Sequence, residues 1–167
     1  IAKLNADGSF AWATKAGGGS NIYGRGITSL SDGSSIVTGF FRWGSTASFG
    51  DTTLTSAGDR DVFIAKLNAD GSFAWATKAG GVNKDLGLGI SSLSDGSSIV
   101  IGIFQGTASF GSTTLTSAGG GQDVFIAKLN DDGSYAWATK AGSSGYDIGN
   151  GITSLSNGSS IVTGAFS

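Results

Sequence analysis

The chain has 167 residues, a formal net charge of −2, 30 glycines, and no proline, cysteine, histidine or methionine. Such a set excludes a disulfide scaffold, zinc and haem ligation, the Ser-His-Asp triad and cysteine nucleophiles. With 13% charged residues it lacks the basic patch that nucleic-acid binding leaves, and no apolar run reaches the length of a membrane span.

Glycine at this level can signal disorder, but 39% of the residues are hydrophobic and they fall in short alternating runs. Asp-Gly and Asn-Gly turns bound those runs, which predicts strands and hairpins and no helix. The first stretch, Ile1–Gly18, reads IAKLNADGSFAWATKAGG, and the same letters return at Ile64–Gly81. They return again from Ile126, with Asp131 and Tyr135 as changes, so the repeat periods are 63 and 62 residues. That is too long for one coil of a β-helix and suits a four-stranded unit with loops.

Residues 1–16 supply two of those strands. The first full unit then runs from Gly26 to Ala79. GITSLS (Gly26–Ser31) is strand A, DGS turns the chain, and SIVTGFF (Ser35–Phe41) is strand B. A stretch rich in Gly, Ser and Thr, Arg42–Asp61, is expected to be a long loop. VFIAKL (Val62–Leu67) is strand C, NADGS turns again, and FAWATKA (Phe73–Ala79) is strand D. In strand C, Val62 and Ile64 alternate with Phe63, Ala65 and Leu67; in strand B, Ile36 and Phe40 alternate with Val37 and Phe41. Both faces are apolar, so each unit must be covered on both sides, as stacked propeller blades are. Small residues at Gly26, Ser29 and Gly39 fit crowding near an axis. A second unit spans Gly89–Ala141, and residues 151–167 end the chain with a strand A and a strand B.

The fold expected is an all-β propeller of near-identical four-stranded antiparallel blades. The runs GISSLSDGSSIVIGIFQGTASFG (Gly89–Gly111) and DVFIAKLNADGSFAWATKAGG (Asp61–Gly81) resemble the bacterial β-propeller repeat often called SBBP, and the likeness covers nearly the whole chain. The resemblance implies the fold and a bacterial, extracellular or cell-surface setting. It implies little about activity. The chain departs from the family in having too few repeats for a propeller of the usual size.

The split units give an expectation about partners. Residues 1–16 are a C–D pair without its A–B pair, and residues 151–167 are an A–B pair without its C–D pair. Closing them within one chain makes three blades, below the usual four to eight. Closing them between two copies makes six, and among three copies nine. A homodimer is the favoured assembly. The competing reading, suggested also by the missing initiator Met, is that the chain is a segment of a longer propeller.

Strands are almost identical between copies, but the D–A connections are not: GGSNIYGR (Gly18–Arg25), GVNKDLGL (Gly81–Leu88) and SSGYDIGN (Ser143–Asn150). In a propeller these emerge with the B–C loops on one face. A recognition surface there would use Asn21, Tyr23, Arg25, Arg42, Trp43, Asn83, Lys84, Asp85, Tyr146, Asp147 and Asn150. Aromatic, Arg and Asn side chains are common in loop-based recognition, although unconstrained surface loops also drift. A protein or glycan ligand fits such a face.

Other motifs read as structure. NADGS and NDDGS lack the spacing and late acidic ligand of a calcium loop, and Asp59 with Asp61 fits a turn ahead of strand C. Trp12, Trp75 and Trp137 share one place in strand D and read as packing between blades. Lys15, Lys78 and Lys140 read as solvated edge lysines. Asn157–Ser159 matches a glycosylation sequon and, better, the A–B turn. No acid, base and nucleophile can be picked out, and no cofactor is implied. The expectation is a non-catalytic binding or scaffold module. A carbohydrate-binding propeller and a purely structural repeat are the alternatives.

Overall fold

The computed structural model describes residues 1–18, 21–42 and 44–167. They form an all-β chain of antiparallel pairs with no helix among the described residues. A short pair, β1 (Ala2–Leu4) and β2 (Phe10–Ala13), comes first. The first complete repeat has its strands in spatial order β3 (Ile22–Ser29), β4 (Ser35–Arg42), β7 (Arg60–Leu67) and β8 (Phe73–Gly81). The second repeats that order with β9 (Leu86–Ser92), β10 (Ser98–Gln105), β13 (Gln122–Leu129) and β14 (Tyr135–Ala141). The pair β15 (Ile148–Ser154) and β16 (Ser160–Ala165) ends the chain.

Six tight turns share one design. Gly8, Gly33, Gly71, Gly96, Gly133 and Gly158 all have φ between 82° and 88°, a left-handed conformation that glycine enters without strain. In five of them an aspartate Oδ1 accepts from the backbone N–H and the hydroxyl of the serine two residues on, and Asn157 does the same in the sixth. The serine hydroxyl is the main reason that the Asp7, Asp32, Asp70, Asp95 and Asp132 carboxyls sit below their ordinary value. These residues make a turn, as the sequence predicted for NADGS and NDDGS.

Two expectations need correction. Strand A begins at Ile22, Leu86 and Ile148, several residues before the Gly26, Gly89 and Gly151 starts read from the sequence. The Gly/Ser/Thr-rich stretch is not a loop: it folds as a hairpin, β5 (Thr46–Phe49) with β6 (Thr52–Thr55), and again as β11 (Thr107–Phe110) with β12 (Thr113–Thr116). Its two-residue turns open with Gly50 and Gly111, at φ 59° and 60°, as a type II′ turn requires. Alternation then buries Ala47, Phe49, Ala108 and Phe110. Each hairpin crosses to the preceding repeat. Gly17 and Ser48 exchange backbone hydrogen bonds, and Gly80 and Gly81 register with Ser109 and Ala108.

The core is made between repeats. Val37, Phe41, Phe63, Ala65 and Leu67 pack back toward Trp12 and Ala16 of the preceding strands. Ile36, Val62 and Ile64 pack forward with Ile90, Val100, Phe104 and Phe110 of the next repeat. The alternating faces read from strands B and C are therefore both buried. Trp12 donates Nε1–H to the Ala69 carbonyl (3.0 Å) and Trp75 to the Asp131 carbonyl (2.9 Å), each reaching the C–D turn of the following repeat. This is the packing between units expected for these tryptophans. Neighbouring A strands touch through small residues: a Cβ on Gly26 would lie 3.2 Å from Gly89 Cα. Their serines and threonines cross-link them. Thr28 Oγ1 donates to Ser92 Oγ (3.1 Å), and Ser91 Oγ donates to Ser154 Oγ (3.0 Å).

Candidate functional site

The variable residues gather where strands A and C begin and strand B ends, and they fall into two groups. In the first repeat β3 carries a bulge between Gly24 and Gly26, and Arg25 is its extra residue. A bulge re-aims its side chain, and here the Arg25 guanidinium lies 5.5 Å from the centre of the Phe40 ring. Phe40 stacks on its cross-strand partner Tyr23 at 4.8 Å between ring centres. Arg42 sits over Tyr23 at 5.6 Å, and Arg60 over Phe40 at 5.8 Å. Tyr23, Arg25 and Arg42, taken from the sequence as loop residues, are thus strand residues brought together. Phe40 and Arg60 complete the cluster and were not singled out in the sequence.

The D–A connection of the same repeat borders this cluster. Arg60 donates its backbone N–H to the Asn83 carbonyl (3.4 Å), and Asp85 donates its own to the Arg60 carbonyl (2.8 Å). Asn83 and Lys84 are half-buried there, while Asn21 is exposed beside Ile22. Asp85 is fully buried: Oδ2 accepts from the Gly81 N–H (2.7 Å) and Oδ1 from the Gln105 N–H (3.3 Å). Burial pushes its carboxyl up to about 7, and the neighbouring charges of Asp61 and Asp59 add to the effect.

The second group repeats this clasp without the cluster. Asp147 is also fully buried, with Oδ2 accepting from the Ser143 N–H (2.9 Å) and Oδ1 from the Ser167 N–H (2.8 Å). Asp85 and Asp147 therefore hold the chain in place and do not lie on the surface with the other candidates. The signal was available, since two of the three connections carry Asp at one position. Tyr146 and Asn150 are exposed near Asp147 in the third connection. Trp43 lies outside the described residues. Of the recurring lysines, Lys15 and Lys140 are exposed as expected and Lys78 is half-buried; Lys78 also donates to the Thr55 carbonyl (2.5 Å) and Lys140 to the Thr116 carbonyl (2.6 Å), fastening strand D to the crossing hairpin.

No protein-family profile matches the chain. It resembles the uncharacterized WD repeat-containing protein L264 of Acanthamoeba polyphaga mimivirus, at 24% identity over 191 residues, covering 98% of this chain. The match takes in 14% of that protein's length, so the chain corresponds to a small part of it. The likeness is to a WD repeat-containing protein and agrees with the repeated units described above.

Proposed function

We propose that the chain is a non-catalytic propeller-type module that completes its ring with a second copy and presents the A/B/C strand ends for recognition. The observation that carries this is the exposure of core residues in the two split units. Leu4 is 57% exposed, whereas its counterparts Leu67 and Leu129 are fully buried. Ile161 is 57% exposed against 1% and 3% for Ile36 and Ile99, and Phe166 is 56% exposed against none for Phe41 and Phe104. Each buried aliphatic or aromatic side chain is worth roughly 1.5–3 kcal/mol.

A second copy as occupant is supported by the B–C strand pairing already present twice within the chain. Register in the complete repeats pairs Ser35 with Leu67 and Thr38 with Ile64; in the proposed ring the same register would set Ser160 opposite Leu4 and Thr163 opposite Ile1 of a second copy. Trp137, 41% exposed, then meets the C–D turn of that copy, with Nε1–H aimed at the Ala6 carbonyl over Gly8. A cleft of about 480 Å³ between β1 and β3, lined by Ile1, Ile22, Gly26, Ile27 and Val37, receives the second copy's β15–β16 pair. Ile27 is 59% exposed there, and its counterpart Ile90 is 8% exposed where the preceding A–B pair covers it.

The test is the solution mass by native mass spectrometry. The expected result is a species of twice the 16.6 kDa chain, converted by Ile161→Asp into a folded monomer. A folded wild-type monomer would overturn self-completion. A trimer would keep the interface and change the blade count to nine.

A further inference from the structure

We propose that the first repeat binds an oxyanion between the guanidiniums of Arg25, Arg42 and Arg60. This rests on reading the strand ends as a recognition surface, and Arg25 also lines the cleft proposed to receive the second copy's β15–β16 pair. The chain has only three arginines, and all three converge on the stacked pair Tyr23 and Phe40, within 5.5–5.8 Å of a ring centre.

Packing alone does not require them. The second repeat has almost the same strands, yet it carries Leu86, Leu88, Ile103, Gln105 and Gln122 where the first has Tyr23, Arg25, Phe40, Arg42 and Arg60. The five positions change as a set, from a neutral cluster to three fixed charges on an aromatic base. Arg42 and Arg60 stand directly opposite one another in the β4–β7 register. Like charges so placed repel, and the arrangement is stable where an anion lies between them. The corresponding pair in the second repeat is Gln105 with Gln122.

The guanidiniums lie over the rings at 5.5–5.8 Å from their centres, and their N–H groups still need acceptors. Among the described residues, one carboxylate lies within ion-pair distance of any of them: Asp59, 3.7 Å from Arg60 Nε and itself exposed. Arg60 Nε is buried and has no hydrogen-bond partner. The buried carboxylates nearby are engaged elsewhere, Asp85 as described and Asp61 through Oδ2 with Ser56 and Ala57. Guanidiniums present paired N–H donors that match carboxylate, sulfate or phosphate oxygens. Lys84, beside Arg60 in a backbone bridge, adds a fourth cation to the rim, and Asp59 is the anion that a ligand must displace.

Three arginines give three side-chain Nε–H resonances, so the site can be read directly by ¹H–¹⁵N NMR. Sodium sulfate, phosphate and acetate are titrated separately against sodium chloride at matched ionic strength. All three resonances should move on one saturable curve with at least one of the oxyanions, and the preferred arm separates a tetrahedral anion from a carboxylate. In the Arg42→Gln/Arg60→Gln variant, which takes the second repeat's own residues, the Arg25 resonance should lose that saturation. The backbone spectrum and the solution mass should stay unchanged. Shifts no larger than those with chloride for every oxyanion would overturn the proposal, as would an unaltered Arg25 curve in the variant. The mass measurement fails or succeeds separately.

Discussion

Replacing turn glycines by alanine offers a graded test of how the repeats pack. Gly158, Gly8, Gly71 and Gly133 have the same left-handed backbone, with φ of 82°, 86°, 88° and 83°. An alanine there pays a conformational penalty of roughly 1–2 kcal/mol. The surroundings differ. A Cβ at Gly158 or Gly8 meets nothing within 4 Å, whereas at Gly133 it lies 2.8 Å from the Trp75 indole and at Gly71 2.7 Å from Trp12. The ring must move, which costs a further 1–3 kcal/mol or so. It also strains the hydrogen bond from Trp75 to the Asp131 carbonyl, worth about 1 kcal/mol. Urea unfolding should therefore rank Gly158→Ala as mild, near 1–2 kcal/mol, and Gly133→Ala as severe, at about 3 kcal/mol or more. Equal losses for the two would refute the indole-on-glycine packing. Gly8→Ala adds a second readout: it should resemble Gly158→Ala within the chain but weaken association, because Trp137 of a second copy covers Gly8 in the proposed ring.

Leu129→Ala removes a fully buried side chain and should cost about 2–5 kcal/mol in urea unfolding. Leu4→Ala, at a position 57% exposed, should leave the unfolding of the dissociated chain nearly unchanged and lower the dimer fraction at fixed concentration by native mass spectrometry. The Asp85 carboxyl titrates near 7 when folded and near 3.8 when unfolded, so the folded state holds its proton over that range. The Asp85 contribution to stability should be full below about pH 4 and should decline as pH rises to 7, by up to roughly 4 kcal/mol. Asp85→Asn should flatten this decline in unfolding curves taken from pH 4 to 7. The five turn aspartates, whose carboxyls are lowered, act in the opposite sense and below their ordinary 3.8, so the two windows separate.

Much of the fold was legible because the chain aligns with itself. Two apolar faces on strands B and C meant cover from both sides, and Val37 and Ile36 indeed pack in opposite directions. Asp-Gly-Ser gave the turns, since the side-chain oxygen and the glycine conformation are local properties. The crossing hairpin was harder to read. Its strands are four residues each, Thr-Ala-Ser-Phe and Thr-Thr-Leu-Thr, and the period-2 burial of Ala47 and Phe49 on the preceding repeat is what makes them strands. The site was legible in part: Tyr23, Arg25 and Arg42 stood out as variation, but Phe40 and Arg60 lie within otherwise repeated strands. Their pairing with Tyr23 and Arg42 depends on register across β3, β4 and β7. Asp85 and Asp147 looked like surface residues because their connections are polar. They are buried because each connection folds back over its own carboxylate.

Near-identity of the repeats has a physical consequence for association. A surface that fits the next unit within the chain also fits the same unit in another copy, since both present the same strand edge, indole and turn. Selection for good internal packing then creates a head-to-tail interface without any residue chosen for oligomerisation, and such interfaces close into rings only at particular copy numbers. Unpaired edges of this kind also invite uncontrolled pairing. The sequence differences between copies counter that. Tyr23 and Arg25 occupy the places held by Leu86 and Leu88, which pack with Phe40 and Ile103 inside the chain. The matching position on the opposite edge is Ala165, a small residue that leaves room for the larger pair. The proposed junction between copies would thus be sterically distinct from the junctions within one. In the proposed ring, closing there and not at a slipped register would set the arginine cluster once per chain at the strand-end face.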